Sequence, residues 1–357
     1  MEGFSGGAEW DQSHEVKSQV EEQKAVYNVQ CWGCTQWLVL PSYAPNFKCG
    51  WCGALTIYKA PQPARSRWSM WLLTFRDRAF VTIVLAIIAS IVCGGVWAAF
   101  PVLFPTISLG LVFHSLVTVI LLFNTVFNFA LSSHVQAGPV GKISWGEIGF
   151  VPKGGLEGHT FCDYCQSPKP ASAHHCRKCA TCVMDMDHHC PFIGNCVGAN
   201  NHRYFILFLL YTVISCLYVF VMGLYTGLQV WPSVISINYS LKRVPRQIPM
   251  GLALGSHILA ALIDSPLLLS SRALALIYLV VASIAISTAV GLLLYQQVNL
   301  LYSGETFIDS LSTYTKSKDR EGWDNLRRVF GNRHPFWWLL PIFRTYSDSS
   351  LKKIHVR

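Results

Sequence analysis

The stretch Phe80–Phe100, FVTIVLAIIASIVCGGVWAAF, carries no charged side chain. At about 20 residues, a helix of this composition crosses the hydrocarbon core of a bilayer. Working outward, a second apolar run, Ile107 to Leu131, follows a turn bracketed by Pro101 and Pro105. A third extends from about Tyr204 to Val230 and a fourth from about Ala273 to Leu300. Hydrophobic residues make up 52% of the chain and charged residues 13%, against about a quarter charged in soluble domains. An ordinary soluble enzyme is excluded; four spans with polar regions between them are expected.

Lys and Arg set the orientation. Residues 1–79 hold eight, the hairpin 101–106 none, the loop 132–203 six, the loop 231–272 four and the tail 301–357 ten. Four spans place the richer segments on one side, read as cytosolic, with both termini there. Ile248 to Leu269 is apolar enough for a fifth span but contains Pro249, His257, Asp264 and Pro266, so an interfacial or re-entrant lumenal segment is preferred. Trp68, Trp71, Trp97 and Trp231 sit near span ends, as interfacial aromatics do. The tail stretch His334 to Phe343 is too short to cross and is expected at the membrane surface. The net charge of +9 suits anionic lipid and an anionic cofactor rather than nucleic acid. Met1 to Lys24 is polar, so no cleavable signal is expected, and no lipidation box is visible.

Eleven of the thirteen cysteines lie in two clusters, while Cys93 and Cys216 fall inside apolar runs as simple filler. Clustered CxxC pairs with histidines in a reducing compartment point to zinc. Cys31, Cys34, Cys49 and Cys52 form a four-thiolate knuckle that leaves no coordination position open, hence a structural or partner-binding role. Its Cys-x-x-Cys-x-x-x-Leu-x-x-Pro run, Cys31 to Pro41, resembles a plant zinc-finger type used in protein interactions.

The second cluster reads CDYCQSPKPASAHHCRKCATCVMDMDHHCPFIGNC, Cys162 to Cys196, with seven cysteines and four histidines. So short and polar a segment cannot build an apolar core, so metal must supply folding energy. Two tetrahedral sites of three Cys and one His each would leave one cysteine and two histidines over. Cys190, beside His188 and His189 and just after Asp187, is the best candidate for the surplus. Asp, His and Cys are the parts of an activated nucleophile: the imidazole takes the thiol proton and the carboxylate orients it. In an extended segment His188 and Cys190 share one side and His189 points to the other, which frees His189 for metal. A bend is then expected at Asp187. In the alternative, all seven cysteines and one histidine ligate zinc and the loop is structural only.

The run HHCRKCATCVMDMDHHCPFIGNCVGANNHRYF closely resembles the cysteine-rich domain of the Asp-His-His-Cys protein S-acyltransferases (palmitoyltransferases), over Cys162 to Phe205. Gly304-Glu-Thr-Phe-Ile-Asp309 resembles that family's Thr-Thr-x-Glu motif, and Asn325-Leu-Arg-Arg-Val-Phe-Gly331 its C-terminal Asn/aromatic motif. Ser172, Gly138-Pro139, Phe307, Asp309 and Phe192 depart from the usual residues. The resemblance implies one zinc on Cys162, Cys165, His175 and Cys182 and a second on Cys176, Cys179, His189 and Cys196. It leaves Asp187, His188 and Cys190 for catalysis and His174 unassigned. It further implies transfer of a long-chain acyl group from acyl-CoA through Cys190 to cysteines of membrane-associated proteins, in an endomembrane or the plasma membrane. Lys169, Arg177, Lys178 and Arg203, with His202, are candidates to meet the CoA phosphates. His114, Asn124 and Asn128 within the spans are read first as interhelical hydrogen-bonding groups, and Tyr204, Tyr211, Tyr218 and Tyr225 as a packing seam.

The expected architecture is an all-α polytopic membrane protein, with a cytosolic zinc-bound cysteine-rich domain between its second and third transmembrane helices. A cytosolic N-terminal region, 1–66, holds the knuckle (31–52), and helices one and two occupy 67–131. The catalytic domain is 132–203, helices three and four with a lumenal loop are 204–300, and a cytosolic tail is 301–357. The competing reading is a non-catalytic zinc-stabilised membrane scaffold; a transporter ranks third, for want of charged or broken spans.

Overall fold

The computed structural model describes residues 27–40, 44, 46–57, 66–141, 151–230, 271–311 and 322–340. Ile248 to Leu269 and Trp231 lie outside the described residues. Backbone contacts divide the chain into two units. One draws its described residues from 27–57 and 151–171, with Gly141; the other from 66–140, 172–230, 271–311 and 322–340.

In the second unit four helices are long and apolar enough to cross a membrane: α1 (Arg67–Ala98), α3 (Leu109–His134), α4 (His202–Val230) and α5 (Ser271–Ser303), with a short α2 (Phe100–Leu103) in the hairpin. Each of the four covers one expected span. Ser66 and Ser108 start α1 and α3, their hydroxyls accepting the amides of Ser69 and Leu111, both at 3.2 Å. α1 begins well before the charge-free run, and its first turns, through Asp77, mix Arg67, Arg76 and Asp77 with Trp68, Trp71 and Phe75. Trp68, Trp71 and Trp97 are exposed on it. α4 packs along both α3 and α5. His114 reaches across to the Tyr218 hydroxyl at 3.1 Å, the expected interhelical bond. Asn124 and Asn128 instead donate to carbonyls one turn back in their own helix. The tyrosines do not form one seam: Tyr204 is buried, whereas Tyr225 is exposed.

The expectation of an all-α chain fails on the cysteine-rich segments, which form ten short strands among the described residues. The cause is the metal-ligand spacing. Among the described residues four CxxC pairs are followed by a residue in the left-handed region: Thr35 (φ 61°), Gly53 (80°), Gln166 (51°) and Ala180 (52°). Such a residue reverses the chain directly after the second thiolate, so each pair sits in a turn joined to a short hairpin strand. A non-glycine in this region is disfavoured, and ligation to a metal is the compensation available.

In the first unit β1 (Tyr27–Gln30) pairs with β2 (Trp37–Leu40), and β3 (Asn46–Lys48), β4 (Leu55–Ile57), β5 (His159–Cys162) and β6 (Ser167–Pro170) form one sheet in that order. β4 meets β5 in parallel at Leu55 and Thr160. The N-terminal knuckle is therefore continuous with the start of the central cluster. Cys31, Cys49, Cys52, Ala54, Val151 and Leu156 share a core, and the Leu156 amide donates to the Cys52 carbonyl at 2.8 Å. A Cβ on Gly33 would come within 2.5 Å of the Leu156 methyl, so the turn needs that glycine. Leu156, fully buried, is expected to cost about 2–5 kcal/mol when replaced by alanine; the measure is faster amide exchange across β3–β6 in Leu156→Ala.

Candidate active site

The site lies in the second unit. β7 (Ala173–Cys176) and β8 (Thr181–Met184) form one hairpin, β9 (His188–Cys190) and β10 (Asn195–Val197) another. The second hairpin is fixed to the end of α3: Asn195 donates to the Ser132 and Val135 carbonyls at 3.2 and 2.8 Å, and Asn201 to that of Ser132 at 3.0 Å. These side chains satisfy carbonyls that a helix end leaves unpaired, and they set where the hairpin stands above the helices.

Across β9 and β10, His189 is directly opposite Cys196. The His189 Nδ1 is 3.7, 3.4 and 3.5 Å from the sulfurs of Cys176, Cys179 and Cys196. Zinc bonds of about 2.3 Å to sulfur and about 2.0–2.1 Å to nitrogen place tetrahedral ligand atoms roughly 3.5–3.8 Å apart. The four residues thus fit one zinc ion. The same holds in the first unit, where Cys31 and Cys52 sulfurs are 3.6 Å apart and those of Cys34 and Cys49 3.7 Å. All four knuckle sulfurs lie within 4.8 Å of one another. Of the other expected ligand set, Cys162 ends β5 and Cys165 follows it in the first unit. In the second unit His175 and Cys182 face each other, Nδ1 to Sγ 3.8 Å.

Cys190 belongs to none of the gathered metal-binding groups among the described residues. Its neighbours are apolar: Phe129, Ile193, Val197, Phe205 and Leu209. It also opens onto a cavity of about 450 Å³ walled by all four long helices, among them Val84, Leu121, Phe208 and Val290. Asp187 precedes β9 in irregular backbone, with the turn two residues earlier at Asp185 rather than at Asp187 itself, and its Oδ2 is 2.7 Å from the His188 Nδ1. Asp187 is fully buried. Burial opposes its ionisation, but the His188 bond, the nearby His202 and the Phe307 amide outweigh it and hold the carboxyl at about 2. Burial likewise opposes charge on His188, yet its bonds to Asp187 and Cys190 push it up to about 9. An ionised carboxylate, an imidazole that keeps a proton at neutral pH and a sulfur bonded to it are thus in series.

Two further groups hold Asp187. The Phe307 amide donates to its Oδ1 at 2.7 Å and the Gln297 side chain to its Oδ2 at 2.9 Å. Phe307 opens α6 (Phe307–Ser310), whose N-terminus is held by a capping box of Thr306 and Asp309. The main chain makes the contact, which explains why Phe307 and Asp309 can stand where the related motif has Thr and Glu. Gln297, on α5, also meets His202 at 3.0 Å. A glutamine inside an apolar helix is the one sequence signal for it. Gln297→Leu leaves the buried Asp187 one donor short, and is expected to cost about 1–3 kcal/mol, read as a lowered melting temperature of the purified protein.

The four candidate CoA contacts are placed differently. Arg177 is exposed and Lys169 half-buried on β6. Lys178 donates to Thr74 at 3.0 Å and lies 3.5 Å from Asp77. Arg203 is buried and donates to the carbonyls of Trp337, Trp338 and Leu340. His202 is buried as well. The tail is therefore docked by Arg203, and the Tyr211 hydroxyl donates to Leu339 at 2.9 Å. In α7 (Gly322–Phe330), Asn325 donates to Tyr302 at 3.1 Å and Arg328 pairs with Asp185 at 2.6 Å. His174 has Asp309 at 3.9 Å.

Residues 156–316 match the family model described as DHHC palmitoyltransferase. Over these residues the chain is similar to the DHHC palmitoyltransferases. Outside this match lie the N-terminal knuckle, α1 and α3. Palmitoyltransferase ZDHHC16A of Danio rerio is 28% identical over 274 residues, 72% of this chain and 67% of that protein. Human palmitoyltransferase ZDHHC15 is 30% identical over 195 residues, 53% of this chain and 48% of the relative. Human palmitoyltransferase ZDHHC2 is 28% identical over the same length, 53% and 44%. The chain thus spans about two thirds of the fish protein and about half of the human ones.

Proposed function

We propose that this chain is a multi-pass membrane protein S-acyltransferase that moves a long-chain acyl group, palmitoyl first among candidates, from acyl-CoA to cysteines of membrane-associated proteins. The observation that carries the reading is a sulfur outside the gathered metal groups, bonded to an Asp-paired histidine, at the mouth of an apolar cavity between the helices. In the first half-reaction the Cys190 sulfur, its proton held by His188, attacks the thioester carbonyl. The carbon–sulfur bond to CoA breaks and the imidazolium protonates the departing thiolate. In the second, a target cysteine gives its proton to His188 and attacks the acyl group, and Cys190 leaves as thiolate. Asp187 orients the ring and balances its charge throughout.

The acyl tail lies among the helices, where each buried methylene contributes about 0.8 kcal/mol. Arg177 and Lys169 meet the CoA phosphates, while Lys178 and Arg203, tied to inner partners, add positive field there. Zinc is held by Cys176, Cys179, His189 and Cys196, by Cys162, Cys165, His175 and Cys182, and by the N-terminal knuckle; it supplies folding energy and takes no part in bond exchange. Both termini and the DHHC domain face the cytosol of an endomembrane or the plasma membrane. The test is incubation of the purified chain with labelled palmitoyl-CoA, then hydroxylamine and peptide mapping. A hydroxylamine-labile label on the Cys190 peptide is expected. No label, or one elsewhere, leaves the zinc-stabilised scaffold.

A further inference from the structure

Asp77, on α1 outside the matched domain, is almost fully buried although it is an acid beside a membrane segment. Both its oxygens are occupied. Arg76 donates to Oδ1 from Nε and Nη2 at 3.0 and 2.8 Å, and Lys178 stands 3.5 Å from Oδ2. The remaining contact is to the His189 Nε2, 3.1 Å from Oδ2. The other ring nitrogen of His189 is the one turned to the three thiolates. A neutral imidazole has one N–H and one lone pair, so a carboxylate that takes the Nε2 hydrogen leaves the Nδ1 lone pair for the metal.

The same face of α1 continues along the hairpin that bears the nucleophile. Phe80 packs on Phe192 with ring centroids 4.9 Å apart. Val81 lies where a Cβ on Gly194 would approach within 3.3 Å. Val84 joins the apolar cluster around Cys190 and also walls the cavity. Positions 77, 80, 81 and 84 follow helical spacing along one stripe.

We propose that Asp77 is the outer-sphere partner of the zinc site at His189, and through it a positioning residue that fastens the Cys190 hairpin to α1. Such second-shell carboxylates fix the tautomer and raise the basicity of the ligand, and their loss typically costs 10–100-fold in metal affinity. The inference rests on the acyltransferase reading only for its consequence at Cys190; its effect on zinc does not.

The test uses the full-length protein in detergent and follows zinc release to a chromogenic chelator. In Asp77→Ala one zinc equivalent is expected to leave about 10–100-fold faster, with the other equivalents unchanged as internal controls for folding. Asp77→Asn, whose carbonyl still accepts the Nε2 hydrogen, is expected in between. In a His189→Cys background, which has no Nε2, Asp77→Ala is expected to add nothing. Release at the wild-type rate in Asp77→Ala, uniform release of all equivalents, or an undiminished effect in the His189→Cys background overturns the proposal. Acyl labelling of Cys190 is measured alongside: a wild-type protein that binds zinc but never labels refutes the acyltransferase reading and leaves the zinc result to be judged alone.

Discussion

Cys190→Ser is expected to abolish hydroxylamine-labile acylation and transfer to any target protein, while zinc content and helicity stay at wild-type values. His188, pushed up to about 9, holds a thiol as its thiolate, whereas a serine hydroxyl stays un-ionised beside it and is the poorer nucleophile toward a thioester. The rest of the site is indifferent to the change. The serine fits the apolar surroundings, no metal ligand is lost, and β9 keeps its pairing with β10. The loss therefore separates chemistry from folding, as loss of a zinc-ligating cysteine would not. Label persisting in Cys190→Ser at the wild-type level would refute the acyl-enzyme on that residue.

Asp187→Asn is expected to slow acyl-enzyme formation by roughly 10³–10⁴-fold, the scale on which an orienting carboxylate acts on its histidine. An amide presents the wrong group to the His188 Nδ1 hydrogen in one rotamer and no charge in either. The sign of the pH effect follows. His188 is charged below about 9 and loses that charge as pH rises through it, because its bonds to Asp187 and Cys190 outweigh burial. Without the carboxylate burial gains weight, the proton is lost at lower pH, and the alkaline limb of the rate profile moves toward acid. In the intact protein Asp187, held at about 2, stays ionised throughout the working range. Single-turnover rates between pH 6 and about 10 would read both effects; an unmoved alkaline limb would remove Asp187 from the role given to it.

Much of this was legible in the chain because its signals are local. The four spans follow from uninterrupted apolar length, and CxxC spacing announces thiolate pairs wherever it occurs. Alternation along a strand places His188 and Cys190 on one side and His189 on the other. What escaped was long-range. Asp77, Gln297 and the Phe307 amide reach the site from three separate helices, and no spacing rule connects residue 77 to 189 or 297 to 187. The strands were missed for a different reason: each has only three or four residues, too few for a periodicity to register, and they are closed by turns rather than by an apolar face. The inward partners of Lys178 and Arg203 were not legible either, because a basic residue in a sequence carries no sign of what it will meet.

The sheet running from Asn46 through Pro170 has a practical corollary for anyone excising the matched segment. A fragment begun at residue 156, where the family match starts, would strip the Leu55 neighbour from the edge of Thr160 and uncover Leu156, whose shelter is the cysteine turn at Cys31 and Cys52. Raw strand edges of that kind recruit other chains. Such a fragment would be sticky from birth, and a usable one has to begin upstream of Tyr27.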